Sequence, residues 1–531
     1  MPTNELTHQM TLSGSTQPVV VAFEGRERLS ELFDFHVSIA CPLSLDFDAV
    51  VGAPASLTLC PRVGASARTV HGIVSHLELV EVRPRVASHP FLYKVSLVPN
   101  VWRLTLNANS RIFQQQKVVD VLLAVLGGGG GGGSIKRRFA LQGSYPTLEI
   151  CVQYRESDWT FACRLMEENG IAYFFEHSDD ATTLVLSDRP PSASAAIELR
   201  YRPAHATVRE SDYGLTICAL VLSQQLRPGK VTLHDWDFQK PSVLLKGEKT
   251  SGRASADSVE VYEHPAAQVT HEGAADSLAI TTLAVRHEGL RTAGSQGRAT
   301  SRSVSLVPGV ALRVLEHPHD ALNDVYLVTS LDHSGAQAFE TGEASQKSAY
   351  ENVVTMIPLG VMFRPLHQTH RPVIHGVQTA IVVGPPGEEI HVDEHGRVKV
   401  QFHWDRLGKR DASSSCWVRV SQGWAGAGWG TVKSDQRDTV QGKWAIKVQA
   451  GVTLECGASK VSVEPGGKIV IEGMQIEVKC AGPLKVQGTV VSVKADGVVQ
   501  VQAPVVELKA EAGVKVKGAM IALDGSVVTL G

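Results

Sequence analysis

The last 87 residues, Ala445 to Gly531, hold no Phe, Tyr, Trp or Arg. Aromatic rings fill much of an ordinary globular core, so this stretch must be organised around small and branched side chains. No run anywhere approaches the roughly 18 consecutive apolar residues that a membrane-crossing helix needs. The N-terminal residues have no charged-then-apolar leader pattern, so the expectation is assembly in the cytoplasm with no signal peptide. Neither charge sign is in excess, with 51 Lys and Arg against 54 Asp and Glu. That balance argues against nucleic acid as a partner, because phosphate recognition wants a basic surplus. The cysteines (Cys41, Cys60, Cys151, Cys163, Cys218, Cys416, Cys456 and Cys480) form no C-x-x-C pair. They suggest neither a zinc site nor a redox motif nor a disulfide scaffold, and read as small buried hydrophobes. A hydrophobic share of 43% with 20% charged residues excludes wholesale disorder, and 531 residues suggest three or four domains.

The aromatic-free stretch contains 19 valines and 12 glycines. Short apolar-x-apolar segments recur through it, from Val452-Thr-Leu454 and Val461-Ser-Val463 to Ile521-Ala-Leu523 and Val528-Thr-Leu530. Each has the period-two signature of a strand with one buried face. Turn residues such as Gly482-Pro483, Asp496-Gly497 and Asp524-Gly525 stand between them. About eleven strand-and-turn steps of six to ten residues make this a repeat architecture. One short strand cannot bury its own apolar face. Two closures are open: a single-chain β-helix, or three chains each giving one face to every layer of a β-prism. A β-helix wants a stricter six-residue period, so the trimer is favoured. At about 4.8 Å per layer, eleven layers stand roughly 50 Å tall. Val478, Val486, Val493, Val501, Leu508 and Val516 are expected to point inward, with Lys479, Lys485, Lys494, Lys509 and Lys515 outward.

Upstream the chain reads as α+β. Strands are expected at Pro18–Phe23, Phe33–Ala40, Ala55–Leu59, Val70–Val80 and Phe91–Val98, and a helix over Lys117–Leu126. A second helix over Asp158–Asn169 has Ser157 as its cap and Gly170 as its stop, with Trp159, Phe161, Leu165 and Met166 as a buried stripe. The seven glycines from Gly127 to Gly133 are followed by no Gly-Lys-Ser/Thr, so they read as a connection, not a phosphate cradle. Residues 372–430 carry strand-like runs at Val373–Val383, Glu389–Val392, Arg397–Trp404 and Cys416–Ser421, which suggest a small barrel of OB type lacking a visible fifth strand.

An enzyme needs a constellation of chemistry-bearing side chains. His391, Asp393, Glu394 and His395 are the densest set of potential metal ligands. The alternation of Val398, Val400 and Phe402 after Gly396 makes that segment a hairpin tip, not a helix, and no metal or other cofactor is assigned. His317, His319 and Asp320 sit in a loop beside Pro318. No G-x-S-x-G elbow or helical H-E-x-x-H pattern occurs, so no catalytic residue is named.

Longer motifs resemble a known family. Gln153-Tyr-Arg-Glu-Ser-Asp158, then Arg164-Leu-Met-Glu-Glu-Asn-Gly-Ile-Ala-Tyr-Phe-Phe-Glu-His177, are similar to the valine-glycine repeat protein G (VgrG) family of type VI secretion spikes. Phe91 to Pro99, Trp102, Arg111 to Gln114, Leu306 to Gly309, His317-Pro318, Gly396 to Arg406 and Trp424 to Gly430 extend the likeness over most of the chain. The resemblance implies a mainly β fold with four parts. These are a phage-hub-like base over 1–371 with two β-barrel subdomains and an α/β insertion around 145–210, an OB-fold neck over 372–430, a junction over 431–444, and a needle over 445–531. The needle would be a triple-stranded β-prism or β-helix made by a homotrimer. Its core would take Val452, Leu454, Val463, Ile471, Val478, Val486, Val493, Val501, Leu508, Val516 and Leu523. Implied partners are a hexameric Hcp tube at the base and a PAAR cap at the tip (Ser526, Val527, Val528, Thr529, Leu530 and Gly531). Effectors, adaptor chaperones and baseplate components are implied as well. The implied role is structural: a spike made in the cytoplasm, injected by the type VI system, and passing transiently through a target membrane. The sequence departs from the family in the seven-glycine tract and in repeats that begin within about twenty residues of Gly430, where the rest of the OB barrel is usual. A phage-derived tail hub and, further off, a glycan-active β-helix enzyme are the alternatives.

Overall fold

The computed structural model describes residues 8–13, 17–60, 67–83, 88–127, 135–145, 147–178, 181–203, 212, 214–238, 242, 245–265, 275–337, 349–388, 390–421, 448, 451–525 and 527. They divide into two compact units, 1–430 and 431–531.

The first unit begins with β1 (Gln9–Leu12), β2 (Val19–Arg28), β3 (Asp34–Cys41), the single turn α1 (Phe47–Val50), β4 (Pro54–Leu59), β5 (Arg68–Val82) and β6 (Phe91–Val98). Alternation dictates their two faces. In β3, Phe35, Val37 and Ile39 are fully buried while His36 is exposed, and in β4 the inward residues are Ala55, Leu57 and Leu59. The strands run in the order β1-β4-β5-β6-β3-β2, and a β1–β2 pairing closes them into a barrel. Closure removes the free edges that an open sheet would leave.

Next come β7 (Asn109–Lys117), α2 (Val118–Gly127), β8 (Arg137–Ala140), β9 (Thr147–Glu156), α3 (Asp158–Glu168), β10 (Ala172–His177) and β11 (Thr182–Ser187). The Ser157 side chain accepts the Thr160 N–H at 3.0 Å, capping α3 as expected, and Gly170 ends it at φ +66°. Trp159, Phe161, Leu165 and Met166 are all buried, in one core with the first barrel.

Two strands, β12 (Ile197–Tyr201) and β13 (Thr216–Gln224), open the second barrel. A small layer interrupts it: β14 (Lys230–Asp235), β15 (Leu245–Thr250), the turn α4 (Ala254–Asp257), β16 (Glu260–Glu263) and the long helix α5 (Ala275–Thr292), whose Leu283 packs on Val231 and Leu233. The barrel resumes with β17 (Ser295–Ser301), β18 (Ala311–Leu315), β19 (Val325–Ala336) and β20 (Ala349–Pro358). Its order is β19-β18-β12-β13-β17-β20, closed by the β19–β20 pairing. β2 pairs with β19, so the two barrels share one continuous sheet. Glycines permit this junction: a Cβ on Gly335 would stand 2.2 Å from the Phe23 ring, and one on Gly25 would stand 2.1 Å from Phe35.

After the barrels the chain runs without regular structure to a three-stranded sheet of β21 (Ala380–Val382), β22 (Val398–Phe402) and β23 (Cys416–Val418). Arg364 anchors the connecting run, donating to the carbonyls of Gly170 and Asp188 at 2.8 and 2.9 Å and to Glu288 at 3.0 Å. The small barrel read from the sequence is thus reduced. Of the run expected over Glu389–Val392, Glu389 lies outside the described residues and the rest contributes one bridge, Val392 to Val398, in place of a strand; the other runs are shorter than their apolar alternation suggested. Polar anchoring takes over where apolar residues are sparse: Asp405 accepts the hydroxyl of Ser415 at 2.8 Å and the N–H groups of Leu407 and Gly408 at 3.2 Å.

In the second unit β24 (Val452–Cys456), β25 (Ser459–Val463) and β26 (Ile469–Glu472) form an antiparallel meander. From Gln475 to Asp524 the described chain is in no strand of its own. The expectation that all cysteines are buried fails here: Cys456 and Cys480 are exposed, and only Cys41 and Cys151 are fully covered. A repeat with uncovered faces leaves its small side chains uncovered too.

Candidate functional surfaces

At the junction of the two barrels a buried ionic seam holds β2 to β5 and β19. Arg68 donates to both oxygens of Glu27 at 2.6 and 2.7 Å, and His333 Nε2 lies 2.9 Å from Glu27 Oε2. The Arg68 guanidinium keeps the Glu27 carboxyl far below the usual carboxylate range despite its burial. His333 Nδ1 meets the Tyr350 hydroxyl at 2.8 Å, and Asn352 donates to that hydroxyl at 3.0 Å and to the Ser303 carbonyl at 2.8 Å. Burial lowers the pKa of two other histidines, His8 to about 4 and His177 to about 3. Sequence reasoning passed over this seam. Its one signal was Glu27 at an inward position of an apolar strand, and its partners lie 41 and 306 residues away.

The hairpin bearing His391, Asp393, Glu394 and His395 is a turn, as its alternation implied. Asp393 Oδ1 accepts the N–H of His395 at 3.0 Å and of Arg397 at 2.8 Å, and Gly396 takes φ +67°. His391 faces the Trp417 ring at 5.1 Å. Among the described residues no group of three or more His, Cys, Asp or Glu could hold a metal.

The residues assigned to a needle core fall into two sets. Val452, Leu454, Val463 and Ile471 lie on the meander, where the register Val452↔Val463 and Val461↔Ile471 places every one of them on one apolar face. That face is largely open, with Leu454 67% and Ile471 58% exposed. The other seven form a ladder: Val478, Val486, Val493, Val501, Leu508, Val516 and Leu523. Beside it, two residues earlier, runs a second row: Ile476, Leu484, Val491, Val499, Val506, Val514 and Ile521. Both rows advance by eight, then seven residues, so the true period is a fifteen-residue double step. Bends follow the same period, at 474, 489, 504 and 519 and again at 481–482, 496–497 and 511–512. Glu477–Lys479 and Glu507–Lys509 pair at 2.7 Å on the face opposite the rows, two double steps apart. Both rows are uncovered within one chain, and soluble chains rarely leave so long an apolar strip open. Of the expected tip, only Val527 is described; Ser526 and Val528–Gly531 lie outside the described residues, as do Trp424 to Gly430 and Gly128 to Gly133.

Comparison with known proteins agrees with this geometry. The profile of the family described as phage tail baseplate hub (GPD) matches residues 26–339. The type VI secretion system spike protein VgrG1c of Pseudomonas aeruginosa is 36% identical over 416 residues, covering 77% of this chain and 55% of that protein. The chain therefore spans little more than half of this relative's length. Among solved structures, the E. coli c3393 protein, a type VI secretion component similar to phage T4 tail proteins gp27 and gp5, superposes with a TM-score of 0.54 at 21% identity, covering 74% of this chain and 88% of that one. The half-lidded Francisella PdpA–VgrG complex gives a TM-score of 0.50 at 8% identity, covering 88% of each chain. These two likenesses support the mainly β, tail-hub fold.

Proposed function

The chain belongs to the phage tail baseplate hub family, and we propose that it works as a structural spike, a homotrimer at the tip of a type VI secretion tube, and not as an enzyme. The observation that carries this reading is the pair of apolar rows in residues 476–523, repeated every fifteen residues and uncovered within one chain. Three chains, each giving one strand to every layer, would pair the strands and bury both rows. Full burial of a Val or Leu stabilises by about 1.5–3 kcal/mol, so the association would be strong and cumulative. The naming of its relatives as spike proteins supports the secretion context.

The partners follow from the same reading. The fused barrels are the seat for an Hcp hexamer and baseplate components, and residues 526–531 are the docking segment for a PAAR cap. Effectors, with or without adaptor chaperones, travel on the assembly from the cytoplasm through the target membrane. No cofactor is assigned. A phage-derived tail hub remains the second reading, favoured by the family description itself, and neighbouring genes separate the two.

Light scattering at micromolar concentration tests the core of the proposal. The expected mass is three times the chain's 57.1 kDa; a monomer with an intact β signal would overturn it. Deleting Ser526 to Gly531 is expected to abolish PAAR capture in a pull-down while the trimer persists, and undiminished capture moves the docking site elsewhere.

A further inference from the structure

The continuous sheet across the barrel junction has an outer face that the spike reading leaves unused. Across the strands β20-β19-β2-β3-β6, two lateral rows point outward. One contains Glu351, Ser334, Glu24, His36 and Ser96, and the other Ala349, Ala336, Ala22, Ser38 and Lys94. On β5, His76 extends the first row and Glu78 the second. The row between them faces inward and is buried, with Tyr350, Phe23, Val37, Val95 and Leu77 as its side chains. Lateral partners share a face and successive residues alternate, so the outward set is fixed by the register.

The outer face is concave. It encloses a groove of about 710 Å³ whose floor is made of small side chains, Ala22, Ala336, Ala349, Ser38 and Ser334. Small residues allow another backbone to approach the sheet closely. The charges are uneven. Lys94 stands directly opposite Glu78 across β5 and β6 and offsets it. Glu24 and Glu351 flank Ser334 one strand away on either side, so their backbones are about 10 Å apart. Among the described residues neither carboxylate has an ion pair or side-chain hydrogen bond, and both are exposed.

We propose that this saddle is a docking groove for a basic, non-globular polypeptide segment of a partner protein, lying over the alanine–serine floor with cationic side chains on Glu24 and Glu351. Charge complementarity selects the occupant. An acidic segment would meet two uncompensated carboxylates, and a large apolar one would find a polar rim of glutamates and histidines. The groove lies wholly on the barrels, so the inference stands apart from the needle.

The test is fluorescence anisotropy of the full chain with labelled hexalysine, and with hexaglutamate as the opposite-charge probe. Hexalysine is expected to bind at low salt and to weaken as ionic strength rises, because exposed charges are screened, while hexaglutamate does not bind. E24Q/E351Q is expected to lower hexalysine affinity at least tenfold with the far-UV signal unchanged. A336W, which fills the floor without altering charge, is expected to do the same. Absence of binding overturns the proposal. Equal hexalysine binding by wild type and E24Q/E351Q does so too, and assigns the attraction to the general acidic surface. If wild type does not bind and the chain's mass falls in E24Q/E351Q, the saddle is occupied by a second copy, which also overturns it.

Discussion

Glu27 has no water to solvate it, and its charge survives because Arg68 grips both oxygens and His333 bonds one of them. A buried pair of this kind adds little net stability compared with an apolar replacement, but breaking it leaves one charge stranded. Arg68→Met is therefore expected to cost about 3–5 kcal/mol, read as a fall in the denaturant midpoint, and Glu27→Gln with Arg68→Met to recover much of it. A small loss in the single variant would show that water reaches the seam. The same region sets an acid response. His8 and His177 are neutral in the fold, with pKa values near 4 and 3 against an ordinary 6.5. The unfolded chain takes up protons below 6.5 and the folded chain does not, so stability is complete above that pH and falls as the pH drops toward 4. The slope is about 1.4 kcal/mol per pH unit for each imidazole. Glu27 acts lower: its depressed pKa contributes stability above the ordinary carboxylate range that is lost only on stronger acidification. Melting between pH 6.5 and 4 should decline less steeply in His177→Gln than in wild type; parallel curves would refute the assignment.

Alternation along an element decides which substitutions a needle tolerates. Val501 lies in an apolar row, while Val498, three residues earlier, has opposite parity and follows the Asp496-Gly497 bend. On the proposed trimer reading, Val501→Asp would place one carboxylate per chain between packed faces, each costing several kcal/mol, and is expected to abolish association. Val498→Asp is expected to leave the native mass unchanged. The reverse result would mean that the register is off by one. Elements of this kind were open to sequence reading because their signal is local. Phe91–Val98 was read with its exact bounds, and the cap of α3 was visible in Ser157 followed by an apolar stripe. The ionic seam and the saddle were not readable, since Glu27–His333 and Glu24–Ser334–Glu351 come together only through a pairing some 300 residues apart in sequence. The neck strands are shorter than the apolar alternation implies, because the chain after Val392 and after Trp404 is held by the Asp393 and Asp405 side chains and not by a ladder. The fifteen-residue period is hard to see along the sequence because single steps of eight and seven look irregular until taken in pairs.

At the scale of the whole molecule the absence of aromatic residues after Trp444 becomes a tool. Every tryptophan lies at or before that position, so tryptophan fluorescence reports the first unit and the junction, whereas far-UV circular dichroism reports β structure in both units. The two units draw stability from different sources. The barrels have ordinary cores of aromatic and aliphatic residues within one chain. Among the described residues the repeat has no buried core of its own, and on the proposed reading it gains one only from two other copies. Association binds the folded repeat and not the unfolded one, so its stability rises with chain concentration. Interleaved strands must also separate together, which slows unfolding. In guanidinium chloride the fluorescence transition is therefore expected at lower denaturant, independent of protein concentration. A second transition, seen only by circular dichroism, should lie higher and move upward as concentration rises. Val501→Asp should remove the second transition and leave the first in place. Coincident transitions by both probes, unchanged across a hundredfold range of concentration, would mean that the repeat is stabilised within a single chain, and the trimeric spike would have to be abandoned.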